Sequence, residues 1–330
     1  MRLVADFLVE RVCFLVKLDV VVPTYNRSSL LRKTLASLLR APIPAGLEVT
    51  VLVVDNNSKD DTEHVVREIQ AAASRPIVYI KELMQGLSSA RNAGIQGGTA
   101  EIIGFIDDDE EIDEDWYNVI AREFADPTVQ FIGGPYLPNW GAPMPSWLPP
   151  GYHAAIGWVD PKPRSVFGGD FQGNLMGGNA VVRRSAFERV GMYSPKLGRS
   201  GKGLLSDEDS EFYRRLRNAN IHGMYVPDLI IYHYIPASRL TRNYHRRWCY
   251  WRGVSQGILD RDTKAPVAYL LGVPRHRIGL ALKCMCTWPL HILTFKETGE
   301  AFSDELASWD LLGFIYGKHF ARIERYYNKG

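Results

Sequence analysis

Cysteine is scarce in this chain: four in 330 residues, Cys13, Cys249, Cys284 and Cys286. None stands in a C-x-x-C pair, and the chain is too long for a small oxidised scaffold. The pattern reads as a reducing compartment without structural zinc. Net charge is nearly absent as well, at +2, which removes the electrostatic case for a nucleic-acid partner. No G-x-G-x-x-G follows the first strand, no G-x-x-x-x-G-K-[ST] occurs, and there is no G-x-S-x-G elbow. A dinucleotide dehydrogenase, a P-loop enzyme and an α/β-hydrolase are therefore disfavoured. The N-terminus lacks a clean leader core, since Asp6, Glu10 and Arg11 interrupt its apolar run, so a cytoplasmic catalytic face is expected. A membrane-spanning run is also missing. The most apolar stretch, residues 278–295, contains Lys283, Pro289 and His291 and makes a poor spanning helix. With Arg275 and Arg277 before it and Trp288 within it, the stretch suits an interfacial helix on an anionic leaflet or a buried core helix.

What is present is an alternation of short apolar runs and amphipathic segments. LDVVVP (18–23), VTVLVV (49–54), IVYI (77–80) and EIIGFI (101–106) read as buried strands. Residues 28–40, 60–73 and 87–97 between them read as helices. This β-α-β-α order predicts an α/β fold with a mostly parallel sheet flanked by helices. From Gly133 to Gly178 the texture changes to Pro, Gly and Trp, which excludes a long helix and points to a functional loop. Regular structure resumes with a helix over 207–220 and a last strand over 224–233, and a helical region follows residue 238.

Ligands of a parallel sheet gather beyond the carboxyl ends of its strands. Those ends carry PTYNR (23–27), DNNSKDD (55–61), DDDEE (107–111) and Tyr232–His233. Carboxylates brought together repel one another and call for a cation. A hard divalent ion, Mg²⁺ or Mn²⁺, completed by phosphate oxygens satisfies that need. Alternation along an extended segment would place Asp107 and Asp109 on one face, with Asp108 pointing away. Glu110 and Glu111 then read as a solvated approach to the next helix, with Glu110 also close to the metal shell, and Asp113–Asp115 as the helix cap and first turn.

Six segments in order resemble a family 2 glycosyltransferase of the GT-A fold: VVVPTYNR (20–27), VVDNNSKDDT (53–62), QGLSSARNAG (85–94), FIDDDE (105–110), GGNAVVRRSAFERVG (177–191) and DEDSEFYRRL (207–216). The resemblance covers about residues 18–235. It implies an inverting, metal-dependent transferase using a nucleoside diphosphate sugar, expected to be a UDP-sugar, on a glycan or lipid-linked acceptor. On that resemblance Pro23, Thr24, Tyr25 and Arg27 cradle the nucleotide, and Asp55 accepts from a base N–H. Arg91 approaches the diphosphate or ribose, and Asn92 braces its loop. Asp107 lies by the ribose and the metal shell, Asp109 holds the metal, and His233 is a further metal ligand. Asp209 is the catalytic base beside Glu208. Gly178, Asn179, Glu208, Trp147 and Trp158 are expected on the acceptor side.

Each assignment has a structural rival. Asp55 could serve only its turn, Asp209 only a helix N-terminus, His233 only the fold, and the tryptophans only packing. The segment HRRWCYWRG is similar to the Q-x-x-R-W signature of processive synthases, but Tyr244 replaces the Gln. One sugar per event is therefore expected. The expected organisation is an N-terminal extension (1–17), a catalytic domain (18–237) and a helical C-terminal region (238–330) with possible peripheral membrane contact. The catalytic domain divides into a nucleotide-sugar half (18–132) and an acceptor half (133–237). The rival functions are a sugar-nucleotide nucleotidyltransferase, which would need a Gly-rich phosphate loop after strand one, and a non-catalytic binder of the same fold.

Overall fold

The computed structural model describes residues 16–199, 205–262, 264, 266–293 and 299–321. The expected N-terminal extension falls almost wholly outside the described residues.

The first strand, β1 (Val16–Thr24), carries the run Val20–Val21–Val22, each fully buried. A run without alternation requires cover on both faces of the sheet. On one face Val20 and Val22 join Val51 and Val53 of β2 (Leu47–Asp55) against Leu31, Leu35 and Leu38 of α1 (Ser28–Arg40). On the other, Val21 shares a cluster with Leu52, Val54, its cross-strand neighbour Phe105 and, from a covering helix, Phe212. Each such side chain contributes about 1.5–3 kcal/mol by leaving water, and Leu35→Ala would cost about 2–5 kcal/mol.

The alternation of strands and helices continues as read from sequence: α2 (Thr62–Ala72), β3 (Ile77–Lys81), α3 (Leu87–Gly97) and β4 (Ile102–Phe105). Next come β5 (Glu110–Ile112), α4 (Trp116–Phe124), β6 (Phe131–Gly133), β7 (Tyr136–Trp140), β8 (Ser165–Val166) and β9 (Ala180–Arg183). The chain then forms α5 (Arg184–Val190), α6 (Glu208–Asn218), β10 (Gly223–Tyr225) and β11 (Ile231–Ile235). The main sheet runs β3-β2-β1-β4-β9-β6-β10-β8. The pairs β3/β2, β2/β1, β1/β4 and β6/β10 are parallel, whereas β9 is antiparallel to both its neighbours and β8 to β10.

Two sequence readings change. The Pro/Gly-rich segment is not wholly loop: it holds β7, β8 and a 3-10 helix, Pro150–Ile156. The single last strand is two, because Val226–Ile230 turns between β10 and β11 and sends them to different sheets. The second sheet, β5-β11-β7, sets His233 opposite Glu110.

The C-terminal region packs three helices, α7 (Arg242–Asp262), α8 (Arg275–Leu293) and α9 (Gly299–His319). α7 and α9 approach backbone to backbone at Gly253, Gly257, Gly313 and Gly317, and Arg252 and Arg277 both hold Asp310. No helix among the described residues is long and apolar enough to cross a membrane. On α8, Ala281 and Cys284 are buried while Leu280, Leu282 and Met285 are exposed. From residue 288 onward the apolar stretch lies outside the described side chains.

Candidate active site

A cavity of about 690 Å³ opens where β1 and β4 end, walled by α3, α6, β11 and one face of α7. Pro23, Thr24, Tyr25, Arg27, Arg91, Asp107, Asp109, Gly178, Glu208, Asp209 and His233 all reach it. Seven carboxyl residues (Asp107, Asp108, Asp109, Glu110, Asp207, Glu208, Asp209) meet five arginines (27, 91, 199, 239, 252) in this lining. The acids are in excess, so protons or a further cation must compensate.

Arg91 organises one side. It projects from α3 with 1 % of its surface exposed. Its Nη1 donates to Asp209 Oδ1 at 2.7 Å and to Glu208 Oε1 at 3.3 Å, and its Nη2 to Asp107 Oδ1 at 3.0 Å. Asp209 Oδ2 accepts the Gly177 N–H at 2.9 Å. A Cβ on Gly177 would strike Asp209 and Arg91, and one on Gly178 would strike the Glu110 carboxylate. The glycine pair is thus required by the close approach of these groups. Burial pushes the Asp209 carboxyl up, with Arg91 opposing. Burial and the neighbouring Asp209 push Glu208 up further. Asp209 is the more exposed of the two, its side chain at 21 % against 7 % for Glu208.

The turn at residues 107–110 organises the other side. Glu110 N–H donates to the Asp107 carbonyl at 3.1 Å, and Asp107 N–H to Glu110 Oε2 at 2.7 Å. This corrects the strand-alternation argument. β4 ends at Phe105, and the acids sit in a tight turn where alternation no longer applies. Asp108 does not point away: it accepts from Thr24 Oγ1 at 2.8 Å and from Arg27 Nη1 at 2.9 Å. Glu110 is not solvated but buried in β5. Burial, then Asp107 and Asp109, raise its pKa well above the carboxylate range.

Asp109 Oδ2 accepts from Arg27 at 3.0 Å and from Arg239 Nη2 at 2.9 Å. Burial would raise its pKa, but Arg239, His233 and Arg27 outweigh that and hold it well below the carboxylate range. His233 Nε2 lies 3.7 Å from Asp109 Oδ1. Burial depresses this imidazole to about 4, so it is neutral at physiological pH. Among the described residues no three His, Cys, Asp or Glu side chains converge on one cation position. Asp107 does not join Asp109 and His233 in such a cluster, because the turn gives it to Arg91. The donor set nevertheless fits a divalent ion: one carboxylate, one neutral imidazole and a surrounding acid excess, with remaining positions left for phosphate and water.

Other expected site residues lie elsewhere. Asp55 is buried at the end of β2 but outside the lining. Its Oδ1 accepts the Ser58 N–H and its Oδ2 the Tyr79 hydroxyl, which is the turn role. Asn92 clamps the backbone of Tyr193. Asn179 does not face an acceptor. It is fully buried behind the wall, donating to the Leu229 and Pro135 carbonyls and accepting from Trp116 Nε1. Trp147 packs edge-on against His245 and Phe302, and Trp158 stacks on His153 at 3.8 Å. Neither lines the cavity. At Asp115, the N-cap of α4, no side-chain cap forms.

Several lining residues escaped the sequence reading: Arg199, Arg239, Arg252 and Gln256; Asp207 and Trp248, which sit in DEDSEFYRRL and HRRWCYWRG, also line the cavity. Asp207 holds a left-handed φ of 71°, and burial lifts its carboxyl to about 7. The six buried side-chain polar atoms without partners among the described residues include Arg91 Nε, Tyr136 Oη, Asp207 Oδ2 and His233 Nδ1. These four belong to the cavity lining. A site that gathers such atoms is built for a polar ligand.

Comparison with known proteins bears on the family and the fold. The family model described as glycosyl transferase family 2 matches residues 19–191, just over half of the chain. The chain is 25 % identical to the succinoglycan biosynthesis protein ExoM of Rhizobium meliloti, over 68 % of this chain and 69 % of that one. It is 25 % identical to the glucosyl-dolichyl phosphate glucuronosyltransferase of Haloferax volcanii, over 74 % and 77 %. Among solved structures it resembles the mannosyltransferase PcManGT of Pyrobaculum calidifontis, in complex with GDP-Man and Mn²⁺. The TM-score is 0.61 and the identity 19 %, over 92 % of this chain and 88 % of that one. At that identity the likeness speaks for the fold, which is GT-A.

Proposed function

The chain belongs to glycosyl transferase family 2, and on that premise we propose that this enzyme inverts configuration as it moves one sugar from a nucleoside diphosphate donor. The reading rests on one observation: Arg91-held Asp209 and the Asp109–His233 pair face a single cavity at the strand ends. In this reading Asp209 takes the proton of the acceptor hydroxyl as that oxygen bonds the anomeric carbon. The bond from that carbon to the diphosphate breaks on the opposite face, so one displacement inverts the configuration. Arg91 orients the base, and burial, opposed by Arg91, raises the proton affinity of Asp209 above that of an ordinary carboxylate, which suits it to take up a proton. Asp109 and His233 would hold a divalent ion, whose chemistry when bound is to neutralise the departing diphosphate. Thr24, Tyr25 and Arg27 border the nucleotide end.

The relatives named for succinoglycan biosynthesis and as a glucosyl-dolichyl phosphate glucuronosyltransferase motivate a glycan or lipid-linked acceptor. The exposed Leu280, Leu282 and Met285 of α8 support peripheral contact with a membrane. The test of the chemistry is donor turnover with Mn²⁺ and then with EDTA, after a thermal-shift panel of UDP and GDP has chosen the base. Turnover that stops on chelation and is lost in Asp109→Ala supports the reading. Turnover indifferent to EDTA and to Asp109→Ala overturns the metal assignment. Absence of flotation with anionic vesicles overturns the membrane contact.

A further inference from the structure

Arg239 ends the short 3-10 turn after β11, Ala237–Arg239, and is 8 % exposed. It belongs to none of the motifs that carry the family resemblance. Its two terminal nitrogens divide their contacts. Nη2 donates to Asp109 Oδ2 at 2.9 Å, and Nη1 lies 2.8 Å from His233 Nε2. A guanidinium only donates, so His233 Nε2 is the acceptor and its proton sits on Nδ1. Among the described residues that atom is buried with no partner. The ring cannot turn freely to change this, because Gly157 packs flush on it and a Cβ there would strike all three ring atoms nearest it. The guanidinium fork thus grips the same carboxylate and imidazole that would hold a divalent ion.

We propose that Arg239 is an exchangeable counter-cation: it holds Asp109 and His233 in the metal-free enzyme and turns onto the donor's diphosphate when a divalent cation takes that pair. The inference rests on the metal reading given above. Two positive groups cannot share one carboxylate and one imidazole at contact distance. A cation arriving alone must therefore displace a buried guanidinium whose one ion pair among the described residues is with Asp109. A cation arriving with a diphosphate brings that anion along. Arg27 differs, since Asp108 retains it whatever happens at Asp109. The consequence is reciprocal coupling, in which cation and diphosphate each bind better when the other is present.

The test is Mn²⁺ binding followed by the loss of the free-ion EPR signal. Wild type, Arg239→Ala and Arg239→Gln are titrated alone, with UDP, and with GDP. Without nucleotide, both variants should bind Mn²⁺ about tenfold tighter or more, the scale of one charged hydrogen bond. At saturating Mn²⁺ they should bind the preferred nucleotide about tenfold more weakly. A merely structural role would weaken both. Arg239→Gln keeps hydrogen-bonding capacity without charge and serves if the alanine variant misfolds. Mn²⁺ affinity in the variants equal to or below wild type overturns the exchange while leaving the metal site standing. Wild type that takes up no Mn²⁺ even with nucleotide overturns the metal reading and this inference together.

Discussion

Replacing Arg91 by Met should destabilise the protein more than any other single change in the cavity wall. Methionine is of similar length, so the change removes charge and five N–H donors with little loss of volume. Three carboxylates, Asp107, Glu208 and Asp209, lose their shared partner. Leaving a buried charge unpaired costs about 3–5 kcal/mol. Asp107 and Asp209 keep access to solvent through the cavity, at 30 % and 21 % exposure, so the lower end, about 3 kcal/mol, is expected. At roughly 2 °C per kcal/mol for a chain of this size, the melting temperature at pH 7.5 should fall by roughly 6 °C. The deficit should then shrink at pH 5.5. Glu208 and Asp209 already bind protons more readily in the folded state than ordinary carboxyls do. Without Arg91 that tendency grows, so the folded variant gains more than wild type from acidification. Arg91→Lys, which keeps one charge but not the fork, should fall between. The measurement is thermal unfolding in EDTA at both pH values. A variant within about 2 °C of wild type at pH 7.5, or a gap that widens on acidification, would refute the hub argument.

Asp209→Asn should lower turnover by about 10²–10⁴ while nucleotide affinity holds; retained transfer at constant donor binding removes Asp209 as base. The same substitution sets an amide NH₂ against Arg91 Nη1 or the Gly177 N–H, both donors, so a modest loss of melting temperature should accompany it. Trp147→Ala and Trp158→Ala should reduce stability and leave acceptor KM unchanged, because both rings pack outside the cavity; a KM change with unaltered melting would restore an acceptor role. Between pH 6.5 and 8 the ligand-free protein should lose stability as pH rises, since Asp207 at about 7 and the raised Glu208 bind protons in the folded state that the unfolded chain has released. His233, depressed to about 4, acts in the opposite sense only below its unfolded value near 6.5. A melting temperature that rises across pH 6.5–8 would contradict this.

The parallel half of the fold was legible because its strands are apolar on both faces and its helices alternate with them at regular spacing. The acids at 107–110 were legible as a group but not in their orientation. A strand pattern continues on paper past Phe105, whereas the chain turns there, and the hydrogen bond from Glu110 to the Asp107 carbonyl is not written in any local periodicity. Arg239 was invisible for another reason. Its partner Asp109 lies 130 positions upstream, and only the pairing of β5 with β11 brings the two together. The tryptophans misled because aromatic content reports burial, not what is buried against what. The ring that meets Trp147 belongs to Phe302, in a helix no sugar-binding argument had considered.

A net charge of +2 gave no sign that one cavity holds seven carboxyl residues against five arginines. That imbalance constrains ligand binding without reference to any relative. A diphosphate bound in this cavity would add negative charge beside Asp107, Asp109 and Glu110, where burial first, and then Asp107 and Asp109, already drive Glu110 toward its protonated form. Binding there must be accompanied by a cation or by proton uptake, and the two leave different signatures. If protons compensate, nucleoside diphosphate affinity rises steadily as pH falls through the range of the raised carboxyls and is indifferent to chelator. If a divalent ion compensates, EDTA abolishes the affinity at neutral pH, and acidification weakens it once the imidazole of His233 and its carboxylate partner begin to compete for protons. The low pKa of both Asp109 and His233 places that competition well below neutrality. On the metal reading, the pair is therefore free of competing protons, and contested only by the arginines that hold it, at the pH where the surrounding acids most need a cation.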